Sequence, residues 1–404
     1  MSEDLAIGFL PLVDACLPIL AHEHGFAEEE GLRLRFIRDV SWATVLDRLL
    51  YGHTDAAHLI APLAIATALG RSRPAQPLAA PFVLGLNGNA ISLRPDLAES
   101  IGFDGTLGDP RQIGAALAIE AARRCKGGRP IRLGVVHRYS SHNYMVRYWL
   151  AACGIVPDKD IELVTVAPPF IADALDSGEI DGACVGEPWN SVAVDRGAGV
   201  IVLATAQIWR RGVEKVLAMR EPVLDEKRPQ IEALIRAMRK AGSHFVDPAN
   251  WDENAAVLAR PAYLDQDAAL IRRAISDHLV LRQGDRPVHY SDFMFQYREA
   301  ANFPWVSQAQ WLYTQMVRWD ALEFSAEDAR TAGKVFRPDI YRSALKDIGE
   351  SLPGASSKVE GSLRGLTQVG TQSGSITLGK DGFFDDRIFD PDDLEAYLKA
   401  LPGR

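Results

Sequence analysis

A chain of 404 residues sets 44 Lys and Arg against 53 Asp and Glu, for a formal net charge of −9, and its isoelectric point is near 5.6. That balance excludes a binder of nucleic-acid backbones, which would need a basic face, so any bound anion must be held by local groups. Hydrophobic residues make up 47% of the chain, enough for a large core with room for two lobes and an extra helical section.

The N-terminus, MSEDLAIGFLPL, has acidic residues where a secretory leader would carry Lys or Arg, and no small-residue cleavage pattern follows. No apolar run approaches the roughly 18 residues of a membrane span, and neither end carries a lipidation motif. The expected location is therefore cytoplasmic, with no membrane contact. Cys16, Cys125, Cys153 and Cys184 are scattered without CxxC or His pairs at metal spacing, so they read as reduced, mostly buried thiols, and no metal or cofactor is expected.

In chain order, short apolar strands alternate with helices. Strand 5–10 leads to a helix at 15–24 ending at Gly25, strand 32–38 to a helix at 42–51 ending at Gly52, and strand 56–61 to a helix opened by Pro62. Asp14 and Ser41 stand at N-cap positions. A β-α-β-α series of this kind predicts a parallel sheet. A second series follows PFVLGLNGNAISLRP, with a helix near 110–126 and strands near 131–136, 161–166 and 182–185. After about residue 222 helical periodicity takes over: IEALIRAMRKAGSHF spaces Ile231, Leu234, Ile235, Met238 and Phe245 at helical intervals. Residues 351–382 are rich in Gly and Ser and predict a flexible segment, and FFDDRIFDPDDLEAYLKAL predicts one short docked helix.

The two series are copies. Asp47, Leu49, Gly52, Asp55 and Pro62 recur 126 residues later as Asp173, Leu175, Gly178, Asp181 and Pro188, and Gly8 recurs as Gly134 at the same offset. Two copies are too few to stack as a solenoid, so the expected architecture is an α/β fold of two similar lobes. Lobe one takes residues 1–88 and 200–350 with its bracing C-terminal helices, lobe two takes 89–199, and 351–404 form a flexible tail that can carry one short docked helix. The second copy is longer by three residues in its first strand-to-helix loop, where His137, Arg138, Ser140, Ser141 and His142 lie, and such loops are where ligands bind in open α/β sheets.

Strand-to-helix loops aim backbone N–H groups and helix dipoles into one crevice, which attracts a small anion. Trp42 lies in the first turn of its helix while Val45, Leu46, Leu49 and Leu50 supply the apolar side, so its indole is either a packing residue or a cover for a planar ligand. His58, in the apolar strand DAAHLIA, needs a partner when buried and is either a satisfied core histidine or a ligand contact. His142 starts a helix beside two serines and Asn143. Glu187, in GACVGEPWN, either accepts from a histidine, closes the lobes by pairing, or is a helix-start acid. Lys215, in the apolar run GVEKVLAMR, requires a counter-charge, and Glu214 can supply it only if the strand bends, since strand neighbours point to opposite faces. GxSxG, HExxH, GxxxxGK[ST] and GxGxxG signatures are all missing, which weakens an enzymatic reading.

SWATVLDRLLYG, NGNAISL, SHNYMVRYWLAACGIVPDKDIELV, GEPWNSVAV, SDFMFQY and FRPDIYRSALKDIG resemble the nitrate and bicarbonate receptors of ABC transporters, the NrtA/CmpA family, over most of residues 5–349. The resemblance implies a two-lobed type II periplasmic-binding-protein-like fold with a helical C-terminal section, closing on an oxyanion. It implies ligand contacts at Trp42, His142 and Lys215 and a matching acid at Glu187, while the family's Gln on the first-lobe strand is here His58. Because the chain begins at its first strand, it looks most similar to cytoplasmic nitrate/nitrite sensors of the NasS type, which hold an RNA-binding antiterminator of the ANTAR class and release it when nitrate or nitrite binds. The alternative is the nitrate or bicarbonate substrate-binding component of an ABC transporter. A third reading is an enzyme on the same fold, resembling pyrimidine-precursor synthases, with His58 and His142 as acid and base. An acidic residue at position 215 would suit bicarbonate, which donates a hydrogen bond; Lys215 points to nitrate and nitrite.

Overall fold

The computed structural model describes residues 3–71, 73–320, 322–371 and 374–401. In chain order its principal strands are β1 (Glu3–Phe9), β2 (Leu32–Arg38), β3 (Ala56–Ile60), β4 (Leu78–Asn87), β5 (Asn89–Leu93), β6 (Ile131–Val135), β7 (Ile161–Thr165), β8 (Gly182–Gly186), β9 (Val200–Ala204) and β10 (Val213–Arg220). They form two sheets, ordered β4-β10-β3-β1-β2 and β9-β5-β8-β6-β7, the first extended beyond β4 by the short strand Met294–Phe295. In each, three strands run parallel: β1 pairs with β2 and β3, and β6 pairs with β7 and β8. The strand beside that trio is antiparallel to both neighbours, β10 in the first sheet and β5 in the second.

The sequence repeat has a physical cause in matching strand clips. Asp55 accepts from the Ala6 amide through Oδ2 at 2.8 Å and donates its own N–H to the Ala6 carbonyl at 2.8 Å. Asp181 does the same to Arg132, at 2.8 Å in each direction, and Arg132 lies 126 residues after Ala6. Gly52 and Gly178 end the preceding helices at φ +74° and +72°, a left-handed conformation that a side chain disfavours. Leu49 and Leu175 anchor those helices in the core.

The chain crosses between the sheets twice. Gly88, at φ +84°, is the single residue between β4 and β5, and residues 205–212 connect β9 to β10. Residues 200–204, which sequence reading placed in lobe one, are β9 and pair with β5 in the second sheet. The run VIVLA is buried throughout, and an apolar run of that kind does not specify which sheet it joins. Beyond β10 the helix Arg228–Val246 packs on the helices Cys16–Glu23 and Pro338–Leu345. The helix Val306–Trp319 touches both Ala61–Ala68 and Ser141–Ala152, so it spans the two sheets' layers. Among the described residues, no helix is long and apolar enough to cross a membrane.

The flexible tail expected for 351–404 is corrected for its described residues; 372, 373 and 402–404 lie outside them. Thr367–Gly370 and Ser375–Leu378 form an antiparallel hairpin. Phe383 stacks on Trp209 with ring centroids 4.9 Å apart and also meets Trp311. Trp311 Nε1 donates to the Tyr397 hydroxyl at 2.9 Å, and Tyr148 donates to Asp385 at 2.8 Å. Buried Glu360 accepts from Ser307 at 2.7 Å and pairs with Lys358. Gly and Ser content concealed these anchors because a few large aromatics suffice to fix a long loop, each burying up to ~150–250 Å². Phe383→Ala should therefore lower unfolding free energy by about 3–5 kcal/mol in urea denaturation, whereas a loosely laid tail would leave it unchanged.

Candidate ligand-binding site

Between the sheets lies a wholly buried polar cluster assembled from six segments of the chain. Asp14 sits in the one-turn helix Val13–Ala15 just after β1. It is not the expected N-cap: the helix Cys16–Glu23 begins without a side-chain cap, and the Asp14 carboxylate turns inward instead. Its Oδ1 accepts from His58 Nε2 at 2.8 Å, and its Oδ2 lies 2.7 Å from Lys215 Nζ. Glu214 Oε2 is 3.2 Å from the same ammonium, and Asn89 Oδ1 accepts from it at 3.4 Å. Glu214 and Lys215 reach one cluster from adjacent positions because β10 slips register against β4 on either side of Lys215. That is the bend which pairing of neighbours requires.

The second lobe closes on this cluster through a capped helix start. Ser140 Oγ accepts from the Asn143 amide at 3.0 Å and donates to the His137 carbonyl at 2.7 Å, which fixes the first turn of Ser141–Ala152. Ser141 Oγ then donates to Glu214 Oε2 at 2.6 Å, and His142 Nδ1 lies 3.9 Å from the same oxygen. Opposite, Ser41 accepts from the Thr44 amide and starts the helix Trp42–Leu50. The Trp42 ring meets His58 edge-on at 5.2 Å. The structure thus brings Trp42, His58, His142 and Lys215 into one connected group.

Glu187 stands apart from that group by its side chain. It neither accepts from a histidine nor pairs across the lobes: one carboxylate oxygen accepts from the Ser191 amide at 3.3 Å, and Oε1 has no hydrogen-bond partner. Its backbone makes the inter-lobe contact instead, the carbonyl accepting from the Val13 amide at 2.8 Å. The neighbouring Trp189 Nε1 donates to the Pro11 carbonyl at 3.0 Å.

Electrostatics settle which groups carry charge. Burial pushes the Asp14 carboxyl up, but Lys215 and then His58 outweigh it and hold it well below the usual carboxylate range. Burial pulls Lys215 down, but Asp14 and Glu214 outweigh it, so it stays an ammonium. Burial raises Glu214 despite Lys215 and Ser141. Burial lowers His58, with Asp14 opposing, and lowers His142 well below its ordinary value, with Lys215 adding to the effect. Both imidazoles are therefore neutral near pH 7, each with one N–H and one lone pair. His58 gives its N–H to Asp14, a carboxylate that only accepts.

What the cluster offers a ligand follows from the groups left over. Lys215 has three protons and three protein acceptors, so it supplies charge and holds two carboxylates in place. Trp42 Nε1, Asn89 Nδ2 and both His142 nitrogens are buried with no hydrogen-bond partner in the protein. Sequence reading missed Asn89 and the inward turn of Asp14. Asn89 carried no signal beyond its place in NGNAISL, and Asp14 is as good a helix cap as a counter-ion on sequence alone.

A model of the NMT1-like family matches residues 1–259. The chain is 30% identical over 401 residues to the nitrate import ATP-binding protein NrtC of Synechocystis sp., covering 98% of this chain and 55% of that protein, so it spans about half that relative's length. It is 30% identical over 411 residues to the nitrate/nitrite binding protein NrtA of Synechococcus elongatus, covering 99% of this chain and 86% of that protein. Its structure is similar to the periplasmic nitrate-binding protein NrtA from Synechocystis PCC 6803, with a TM-score of 0.86, 25% identity and 99% of both chains covered. The observed fold is accordingly the two-lobed, periplasmic-binding-protein-like α/β fold expected from the resemblance.

Two outcomes follow from the buried charges. Lys215→Met strands Asp14 without its counter-ion and should cost about 3–5 kcal/mol in urea denaturation; pairing it with Asp14→Asn should recover much of that. Glu187 behaves in the opposite sense to a paired acid, since burial, opposed only weakly by Ser191, raises it to about 7. A raised acid binds its proton more tightly in the folded state, so its contribution is complete below pH ~4.5 and is lost as pH climbs through 7. Across that window the native protein should lose about 3 kcal/mol relative to Glu187→Gln, read from denaturation midpoints at each pH.

Proposed function

The chain belongs to the NMT1-like family, and from that premise we propose that it is a solute-binding protein that encloses nitrate or nitrite between its lobes, as the binding component of an ABC-type importer. The observation that carries this reading is the set of buried donors without protein acceptors: Trp42 Nε1 from one lobe, Asn89 Nδ2 and His142 from the other. Leaving such a donor unpaired costs about 1–3 kcal/mol. Nitrate is planar, singly charged and accepts hydrogen bonds only, so it suits such a set. The names of the relatives reported above support nitrate, while a bicarbonate transport ATP-binding protein, CmpC of Synechocystis sp., is also similar, at 32% identity over 398 residues.

The sensor reading, in which nitrate releases an ANTAR-type antiterminator, gains no support from those relatives, and the importer reading takes precedence. Bicarbonate is the competing ligand. It brings a proton to donate; Asp14 and Glu214 are already engaged by Lys215, His58 and Ser141, which leaves the lone pair of neutral His142 as acceptor, at the cost of turning that ring's N–H away from the ligand. The cluster works by binding, with no turnover in our reading.

Calorimetry with nitrate, nitrite and bicarbonate tests the proposal. The first two should bind and bicarbonate should not, and His142→Ala or Trp42→Phe should each weaken nitrate by about tenfold to a hundredfold. Absence of nitrate binding to the wild-type protein would overturn the assignment.

The site also makes affinity depend on pH. With Glu214 ionised, two carboxylates face one ammonium and an arriving anion meets excess negative charge; with Glu214 protonated, the cluster is neutral. Since burial raises Glu214, affinity should fall as pH rises through its titration. Glu214→Gln should flatten that profile.

A further inference from the structure

The helix Cys16–Glu23 begins beside Asp14, and its other end carries a second cluster of ligating side chains with no part in the anion site. His24 caps the C-terminus of that helix. His244 lies in the last turn of Arg228–Val246, and Glu253 in the first turn of Trp251–Leu258. The two imidazoles face each other with centroids 4.1 Å apart and planes tilted by 38°. One ligand atom from each of His24, His244 and Glu253 falls within 4.8 Å of the others.

The hydrogen bonding around this group leaves one ring nitrogen of each histidine without a hydrogen bond in the protein. His24 Nε2 is 3.0 Å from Asn254 Oδ1. An amide oxygen only accepts, so Nε2 donates and Nδ1 is the nitrogen left for a ligand. That Nδ1 lies 4.0 Å from Glu253 Oε1, too far for a hydrogen bond and with an electron-rich atom on each side. His244 Nδ1 is buried with no hydrogen-bond partner. A ligating histidine whose other nitrogen donates to a fixed oxygen is the usual second layer of a metal site, and Asn254 is buried where it can serve so.

We propose that His24, His244 and Glu253 form a site for a divalent transition-metal ion, with Zn²⁺ as the best match, completed by water and clamping three helices of the first lobe together. Two imidazoles and one carboxylate suit a borderline-soft ion better than Mg²⁺ or Ca²⁺, which take oxygen ligands. Zinc bonds of ~2.0–2.2 Å put neighbouring ligand atoms ~3.3–3.5 Å apart, so the cluster must contract modestly. Glu253, with 64% of its side chain exposed, is free to supply that movement. Three protein ligands leave a coordination position for water.

The test is titration of metal-free, untagged full-length protein with ZnCl₂ by calorimetry, and with Co²⁺ by visible absorption. The expected result is one site per chain, with intense d–d bands of a low-coordinate Co²⁺ complex. His24→Gln, His244→Gln or Glu253→Gln should weaken Zn²⁺ at least tenfold, and Asn254→Ala about tenfold or more through its effect on His24. Glu253→Gln lies at the surface and separates loss of a ligand from loss of the fold. Half-buried His278 and exposed His289, with rings 5.0 Å apart, are the control: His278→Gln/His289→Gln should leave binding unchanged. No uptake of Zn²⁺, uptake unaltered by the His24 and His244 substitutions, or uptake lost with the control pair would each overturn the proposal.

Discussion

A lysine ammonium with no exposure to water is the constraint around which the rest of the molecule is arranged. Taken alone, the burial of Lys215 would be prohibitive, since the effective cost of desolvating one ion is several kcal/mol. Asp14 at 2.7 Å and Glu214 at 3.2 Å make it tolerable, and both conditions reach far into the chain. Asp14 must leave its capping position to turn inward, and β10 must slip register so that Glu214 can share the cluster. Glu214 in turn accepts from Ser141 of the opposite lobe. Charge balance at one residue thereby specifies a turn, a bulge and an inter-lobe contact.

This arrangement also changes what an anion would meet. A free lysine would attract any small anion, with little selection. A lysine whose three protons are committed contributes only a field, and selectivity passes to neutral donors whose directions are fixed by the backbone: an indole at a helix start, an amide at the first residue of β5, an imidazole in a capped first turn. Directed neutral donors distinguish ligands by where their lone pairs lie, which is how a planar trigonal oxyanion can be told from one that carries a proton.

Much of this was legible in the sequence, for reasons that differ from residue to residue. The 126-residue offset of Asp55 and Asp181 was visible because both perform the same backbone clip, a task with little freedom of position. Trp42, His58, His142 and Lys215 stood out because each is a polar or bulky group in surroundings that do not account for it. Asp14 did not, since an acid before a helix already has an adequate local explanation. Membership of β9 in the second sheet and the packing of the tail were equally hidden. Both depend on what a segment meets in space, and neither the VIVLA run nor a Gly/Ser-rich stretch followed by Phe383 and Phe389 encodes its partner.

The two crossings between sheets carry a mechanical consequence. Gly88 and residues 205–212 are where one lobe is joined to the other through the principal sheets, and Asn89, Glu214 and Lys215 sit within a few residues of them. Any swing of the lobes about these connectors gives such groups a short lever arm. Trp42 and His142 stand in the first turns of helices that belong to different lobes. Glu214 and Lys215 are neighbours on β10, so any rotation about the connectors would carry the ammonium and this carboxylate together and leave their separation unchanged.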